Sequence, residues 1–250
     1  MKKLLVVLFL LAMVPAMAHA QGDKQTIAYG ETVQGEVTNA DFDQEYIFEG
    51  SAGDVAIVQL IADENAEFDP LLYLATADNE ILAQNDDFSG YNARIIYRLP
   101  DDGQYVIIAT RLGERTGTGT GGFEVTLEKA QISELGVTIE GMVRSDEVTA
   151  SHVFVPEADG IYEIQYTHVS GDFYPGFLVQ TIPEDATYYQ EVASITGIEV
   201  LGGTVRVSLA AGQIYVLSFQ ENYYTYNETT EQAVYTINIT GETVEDGGSA

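Results

Sequence analysis

Six acidic or amide side chains in the first half of the chain carry oxygen atoms that could bind a cation. They fall in three separate segments and comprise Asp41, Asp43, Asp69, Asn85, Asp86 and Asp87. Ca²⁺ takes about six to eight oxygen ligands, so three loops that meet at one end of a domain could hold it. Alternatively, these residues form turns, in which Asp and Asn side chains bind nearby backbone N–H groups. The sequence leaves both interpretations open.

Tyrosines in the second half of the chain form a second candidate site, for ligand binding. They lie in two segments rich in Asn, Glu and Thr, and comprise Tyr188, Tyr189, Tyr223, Tyr224 and Tyr226. An exposed Tyr ring is flat, rigid and amphipathic, which suits contact with sugars or peptides. The same rings could instead fill the core of a domain or cover its ends.

Catalytic motifs are absent from the sequence. It contains no Cys, no Gly-x-Ser-x-Gly and no His-Glu-x-x-His. His152 alternates with Phe154 in a strand-like segment, which favours a structural role for the imidazole. A hydrolase that uses neighbouring carboxylates, such as Asp86 and Asp87, is a further hypothesis, but 39 acidic residues place some carboxylates together by chance. We therefore predict that the protein is not an enzyme.

β-Strands must position these residues, because helical periodicity is almost absent. Short segments rich in Val, Ile, Tyr, Phe and Thr recur about every ten residues, which predicts antiparallel β-sandwiches. Residues 104–110 are apolar on both alternating faces, so this strand should lie in the centre of its sheet. The predicted strands are 32–37, 45–49, 55–61, 71–75, 94–99, 104–110, 122–128, 137–143, 152–155, 162–166, 177–181, 204–209, 214–219 and 233–239.

The chain carries one pattern twice. YGETVQGEV at 29–37 is matched by LGVTIEGMV at 135–143, and YRLPDDGQYVII at 97–108 by VSLAAGQIYVLS at 207–218. Such a pattern predicts a duplicated domain. Residues that both copies keep should be required by the fold. The acidic set belongs to the first copy alone and the tyrosines to the second, so the two copies should differ in what they bind.

The repeat and the N-terminus divide the chain into four parts. Residues 1–20 are typical of a secretory signal peptide, with two Lys, a short apolar run and an Ala-His-Ala cleavage site. We expect a first sandwich over 21–130, a second over 131–241 and a disordered tail over 242–250. No later segment is apolar enough to span a membrane. The predicted location is extracellular or periplasmic.

Charge and composition exclude several partners. The net charge is −29, with only 10 Lys and Arg residues, whereas nucleic-acid binding needs clustered basic residues. The absence of Cys excludes disulfides and thiolate metal sites. An extracellular polysaccharide or protein remains as the expected partner, and the oligomeric state is left open.

Residues 27–129 resemble the bacterial pre-peptidase C-terminal domain. The shared elements occur in the family's order: Gly30, Gly35 and Val37, a strand with Tyr46 and Phe48, Ala52-Gly53, FDPLLYL at 68–74, ILAQNDD at 81–87 and LPDDGQY at 99–105. The second half resembles a degenerate copy that lacks the Asn-Asp-Asp element. The resemblance implies a β-sandwich accessory domain that binds substrate or matrix without catalysis. Its collagen-binding relatives depend on calcium, which favours calcium for the acidic set.

These observations together predict a secreted, non-catalytic binding protein of two tandem, jelly-roll-like β-sandwiches. Its predicted ligand is an extracellular polysaccharide or protein. A calcium-binding adhesion or stabilising module is the main alternative, and its dependence on metal would distinguish it.

Overall fold

The computed structural model describes residues 24–88, 92–145, 152–181, 190–197, 200–220 and 231–243. Regular structure in these residues is β, apart from one 3₁₀ turn at Glu114–Thr116. The strands are β1 (Gln25–Thr26), β2 (Glu31–Val37), β3 (Gln44–Gly50), β4 (Val55–Ala62), β5 (Pro70–Thr76), β6 (Ile81–Asn85), β7 (Ala93–Arg98), β8 (Gly103–Arg111), β9 (Gly121–Lys129), β10 (Thr138–Arg144), β11 (His152–Phe154), β12 (Gly160–Gly171), β13 (Gly176–Thr181), β14 (Gln190–Ile195), β15 (Gly202–Leu209), β16 (Tyr215–Gln220) and β17 (Gln232–Thr243).

The strands form four sheets in two β-sandwiches. The first sandwich consists of sheet A, in the order β1-β3-β8-β5-β6, and sheet B, in the order β2-β9-β4-β7. The second consists of sheet C, β11-β16-β13-β14, and sheet D, β10-β17-β12-β15. Neighbouring strands are antiparallel except β1, which runs parallel to β3. The predicted fold class is confirmed, and so is the central position of β8.

The two sandwiches repeat one strand order. Strands β2 to β9 correspond, in chain order, to strands β10 to β17. With this correspondence, sheet B has the same strand order as sheet D, and the β3-β8-β5-β6 part of sheet A has the same order as sheet C. The hydrogen bonds before the first long strand repeat as well. Gly30 N donates to Leu127 O at 2.8 Å, and Gly136 N donates to Ile239 O at 2.8 Å. Equivalent positions can therefore be assigned by strand register.

A glycine shared by both sandwiches makes room for a core ring. Gly35 pairs with Phe123, and Gly141 pairs with Tyr235. A Cβ atom at Gly35 would lie 2.3 Å from Phe123 Cζ, and one at Gly141 would lie 2.4 Å from Tyr235 Cζ. Both rings are buried. The repeated glycine is therefore a packing requirement.

A polar pair lies at the core of the second sandwich, where the buried Tyr235 meets the half-buried His152. His152 Nε2 and the Tyr235 hydroxyl form a hydrogen bond of 2.7 Å. Burial lowers the pKa of His152. The imidazole is therefore neutral in the folded protein at neutral pH and has the structural role that its alternation with Phe154 predicts.

This pair should make the second sandwich sensitive to acid. The unfolded chain binds a proton at the ordinary His pKa of about 6.5, whereas folded His152 resists it. The unfolded state then binds more protons, so the free energy of unfolding falls as the pH drops below about 6.5. We expect the advantage of wild type over His152→Gln, measured by urea unfolding, to shrink from neutral to acidic pH. A pH-independent difference would contradict this role.

The outer faces of sheets B and C pack against each other. Five buried residues form one apolar cluster there: Val55, Ile57 and Ile96 of sheet B, and Val153 and Val216 of sheet C. The connecting segment is bonded to both sandwiches, because Ala130 N donates to Val55 O at 2.8 Å and Ser133 N donates to Val153 O at 2.7 Å. The four sheets therefore stack in the order A-B-C-D.

Several predicted boundaries differ from the structure. Strands β1, β6 and β14 were not predicted; all three lie at sheet edges, and β14 carries a polar, exposed sequence. The tail prediction was wrong for Glu242 and Thr243, which end β17 and pair with β12. The predicted signal peptide lies outside the described residues, as does the predicted tail after residue 243. Within the described part of the chain, no helix is long and apolar enough to cross a membrane.

Candidate functional site

Sheet A brings part of the acidic set together at one end of the first sandwich. Asp69 lies directly before Pro70, the first residue of β5. Asp86 and Asp87 directly follow β6, which pairs with β5 through Leu72 and Asn85. The charges of Asp87 and Asp86 both act on the Asp69 carboxyl. These three residues, with Tyr73 and Glu114 beside them, are called the acidic corner below.

Asp69 has an unfavourable electrostatic environment in the acidic corner. Its Oδ1 atom is buried and has no hydrogen-bond partner among the residues that the structure describes. Burial raises the pKa of this carboxyl, and the charges of Asp87 and Asp86 raise it further. Its backbone carbonyl accepts a 2.7 Å bond from Leu112 N, so the residue cannot turn away freely. A proton or a cation at Oδ1 would relieve both the desolvation and the repulsion.

Tyr73 provides a phenol next to these carboxylates. Its hydroxyl donates to Glu114 Oε1 at 2.8 Å. Burial raises the Tyr73 pKa to about 12, and the Glu114 hydrogen bond, the Glu114 charge and the Asp86 charge act in the same direction. The phenol therefore stays protonated and presents a hydroxyl and a half-buried ring at the corner.

Asn85 holds the acidic corner in place through side-chain hydrogen bonds. Its side chain is 3% exposed. Its Oδ1 atom accepts a 2.8 Å bond from Arg94 N, and its Nδ2 atom donates to Asp87 O at 3.4 Å. These contacts tie the end of β6 to β7, in the neighbouring sheet. For Asn85 the turn-forming interpretation therefore accounts for the side chain.

Asp41 and Asp43 lie apart from the corner. Both precede β3 and are exposed, and β8 and β5 separate β3 from β6. Three strand spacings of about 4.8 Å place Asp43 about 14 Å from Asp86. Asp41 closes a turn with Thr38, whose N–H donates to Asp41 O at 2.8 Å. The Tyr46 pKa rises to about 12 through burial and, secondarily, the charge of Asp41.

Two observations concern the predicted metal site and the predicted ligand-binding tyrosines. Among the described residues, no group of three or more His, Cys, Asp or Glu side chains is placed to hold a metal ion. The predicted ligand-binding tyrosines, Tyr188, Tyr189, Tyr223, Tyr224 and Tyr226, lie outside the described residues. Both sites stay predictions.

Arg111 was missed by the sequence analysis. It is 2% exposed at the end of β8. Its Nε atom donates to Glu114 O at 2.9 Å, and its Nη1 atom donates to Gly119 O at 2.6 Å and to Asn39 Oδ1 at 3.0 Å. The guanidinium thus fixes the loop that brings Glu114 to Tyr73. The sequence signal that could have found Arg111 is a basic residue placed between an apolar strand and a Gly-rich loop.

Neutralising Asp69 should stabilise the first sandwich. Its raised pKa means that the folded state holds a proton more tightly than the unfolded chain, so wild type loses stability as pH rises through that pKa. Asp69→Asn removes the charge, and we expect a higher unfolding free energy than wild type at neutral pH. The gain should vanish at acidic pH in urea unfolding. A loss at neutral pH, with a normal Glu49→Gln control, would contradict this reading.

Comparisons with known proteins found only distant likenesses. No protein-family model matches the chain. No curated protein matches either. Among solved structures, the pre-peptidase C-terminal domain of collagenase from Bacillus anthracis is 13% identical with a TM-score of 0.36, over 42% of this chain and 95% of that one.

Two tandem carbohydrate-binding structures cover more of the chain. The tandem CBM51 modules of a family 98 glycoside hydrolase from Streptococcus pneumoniae are 9% identical with a TM-score of 0.27, over 84% of each chain. The CBM22 tandem domain of Xyn10C from Paenibacillus barcinonensis is 10% identical with a TM-score of 0.25, over 85% of this chain and 87% of that one. At these values the likenesses extend no function to this chain.

Proposed function

We propose that the protein is a secreted, non-catalytic binding module whose first sandwich contacts its ligand at the acidic corner. We also infer that the two sandwiches are copies of one ancestral domain of the pre-peptidase C-terminal type, the second degenerate. The repeated strand order supports the duplication. The observation that carries the function is the collection of Asp69, Asp86 and Asp87 beside the Tyr73 phenol.

The chemistry of the corner favours a hydroxyl-rich ligand. Ionised carboxylates only accept hydrogen bonds, and sugar hydroxyls are suitable donors. The Tyr73 ring adds a flat apolar surface of the kind that packs on a sugar face. The net charge of −29 repels anionic ligands. A neutral polysaccharide is therefore the favoured ligand, and a basic protein surface is the second candidate.

A glycan and matrix-protein array, run with and without Ca²⁺, tests the proposal. The variant Asp86→Asn/Asp87→Asn keeps the size of both side chains and removes both charges. Glu163→Gln, an exposed change on sheet D, is the matched control. We expect neutral glycan hits that weaken at least about tenfold in the corner variant and persist in the control. No binding, or equal binding by both variants, would overturn the proposal.

Calcium at the corner is a second candidate function. The supporting observation is the buried Asp69 Oδ1 atom, which has no hydrogen-bond partner within the described part of the chain and is repelled by the charges of Asp87 and Asp86. Carboxylates are oxygen donors of the type that Ca²⁺ prefers, and an ion at Asp69 Oδ1 would offset the repulsion. As the described residues stand, the three carboxylates are not grouped to hold an ion together, so binding would require Asp86 or Asp87 to move toward Asp69. Asp41 and Asp43 belong to the original predicted set, but they would need a separate ion.

Thermal unfolding with and without Ca²⁺ separates the two candidates. An ion that binds only the folded state must raise the unfolding midpoint. We expect a rise at about 5 mM Ca²⁺ that is lost in Asp69→Asn and kept in Asp41→Asn. No rise in wild type would eliminate calcium and leave the glycan proposal intact.

A further inference from the structure

The second sandwich has its own corner at the place of the acidic corner. The triplet FDP at 68–70 leads into β5, and the triplet FYP at 173–175 leads into the equivalent strand, β13. In both triplets the outer two residues are buried and the middle residue is half-buried. The buried residues on either side therefore hold Asp69 and Tyr174 at matching positions of the two sandwiches.

The carboxylates of the acidic corner have neutral counterparts in this second corner. Tyr174 takes the place of the first acid. Strand register matches Asp86 and Asp87, which follow β6, with Thr196 and Gly197, which follow β14. All three positions are therefore uncharged in the second sandwich, and Thr196 is exposed.

The Tyr174 ring stacks on His168, in a segment that is fixed against β17. The two ring centroids lie 4.7 Å apart, with an angle of 27° between the rings. Strand β12 bulges directly after His168, and a bulge changes the direction of the side chains beside it. Phe173 N donates to Gln232 O at 3.2 Å. A Cβ atom at Gly171 would lie 2.1 Å from the same oxygen, so the backbone approaches β17 closely. The stack therefore fixes the Tyr174 ring before any ligand binds.

Exposed aliphatic side chains lie next to this stack. Val169 directly follows His168 and is 56% exposed. Leu201 accepts a 3.0 Å bond from His168 N through its carbonyl oxygen and is 65% exposed. Exposed apolar groups that lie together are typical of a surface that a ligand covers. These three residues, with Tyr174 and Thr196, are called the aromatic corner below.

We propose that the aromatic corner binds a sugar ring of a neutral polysaccharide, as a site separate from the acidic corner. The C–H face of a sugar ring packs on a flat Tyr ring, and the hydroxyls at its edge can bond to the Tyr174 and Thr196 hydroxyls. Stacking on His168 lowers the conformational entropy that Tyr174 loses on binding. The net charge of −29 disfavours anionic ligands. This inference shares its ligand class with the proposed function but not its site, so either can fail alone.

The histidines give a direct readout of this site. From residue 21 onward the chain contains only His152 and His168, so an imidazole NMR spectrum of that protein contains signals from two rings. His168 stacks on Tyr174, whereas His152 bonds to Tyr235 in the core of the same sandwich. A sugar on Tyr174 should therefore shift the His168 signals and leave those of His152 in place. The probes are three neutral chains: cellohexaose, xylohexaose and mannohexaose.

We expect a saturable shift of the His168 signals with at least one probe. Tyr174→Phe keeps the ring and should keep the shift, whereas Tyr174→Leu keeps bulk without a flat face and should weaken binding at least about tenfold. Unchanged His152 signals show that each variant is folded. If Tyr174→Leu is not folded, Leu201→Gln replaces it and should also weaken binding.

Asp86→Asn/Asp87→Asn is the matched control, because it changes only the first sandwich, and it should keep the His168 shift. No His168 shift with any probe, or an equal shift in Tyr174→Leu, would overturn the inference. Loss of probe binding in the Asp86/Asp87 variant alone would overturn it as well and would support the acidic corner. Loss in Tyr174→Leu alone would support the aromatic corner and count against the acidic one.

Discussion

Gly35→Val should cost about 3 kcal/mol of unfolding free energy in the first sandwich. A Cβ at this position would lie 2.3 Å from Phe123 Cζ and 2.6 Å from Gln44 Oε1, and valine adds two methyl groups. Phe123 is 1% exposed in the core, so its ring can move only by displacing packed neighbours. Urea unfolding followed by circular dichroism and Tyr fluorescence measures the loss.

Two further variants make this prediction specific. Glu36→Val places the same side chain one residue along β2, on the exposed side, and should change stability by less than about 0.5 kcal/mol. Gly35→Val combined with Phe123→Ala should be more stable than the sum of the two single losses, because the new side chain fills the vacated space. Equal losses at positions 35 and 36, or strict additivity, would show that Gly35 serves another purpose.

The fold was largely predictable because alternation and turn residues are local signals. Residues 104–110 are apolar on both faces, and β8 lies inside its sheet as this predicts. Strands β1, β6 and β14 were not predicted because edge strands bury little and need no strong pattern. The repeated glycine was visible in the sequence, but its reason was not, since the ring above Gly35 comes from β9.

The site was less predictable because it depends on which strands are neighbours. In the sequence, Asp43 and Asp86 are both acidic residues in a segment between predicted strands. In the structure, β8 and β5 lie between β3, which follows Asp43, and β6, which precedes Asp86. Asp69 and Asp86 meet only because β5 pairs with β6. Strand order is set by pairing between segments that are distant in the sequence, and the sequence of one segment does not reveal its partner. The contacts of Arg111 with Asn39 and Gly119 are missed for the same reason.

Val216→Asp should separate the two sandwiches. Val216 is 1% exposed in the cluster between sheets B and C, where an ionised carboxylate would lose its water and find no partner charge in the cluster. The cost of burying it is several kcal/mol, so parting the sheets is the cheaper response. We expect a larger radius of gyration in small-angle scattering, with retained β-sheet circular dichroism and faster proteolysis near residues 130–134.

The opposite side of the contact gives an independent test of the same separation. Val55→Asp introduces the charge from sheet B and should produce the same expansion, because Val55 belongs to the same cluster. Val234→Asp, on the half-buried outer face of sheet D, is the matched control and should leave the radius unchanged. If either cluster variant stays compact, the contact tolerates a charge and cannot be a dry interface. If the parted sandwiches unfold in two steps while wild type unfolds in one, the contact also couples their stabilities.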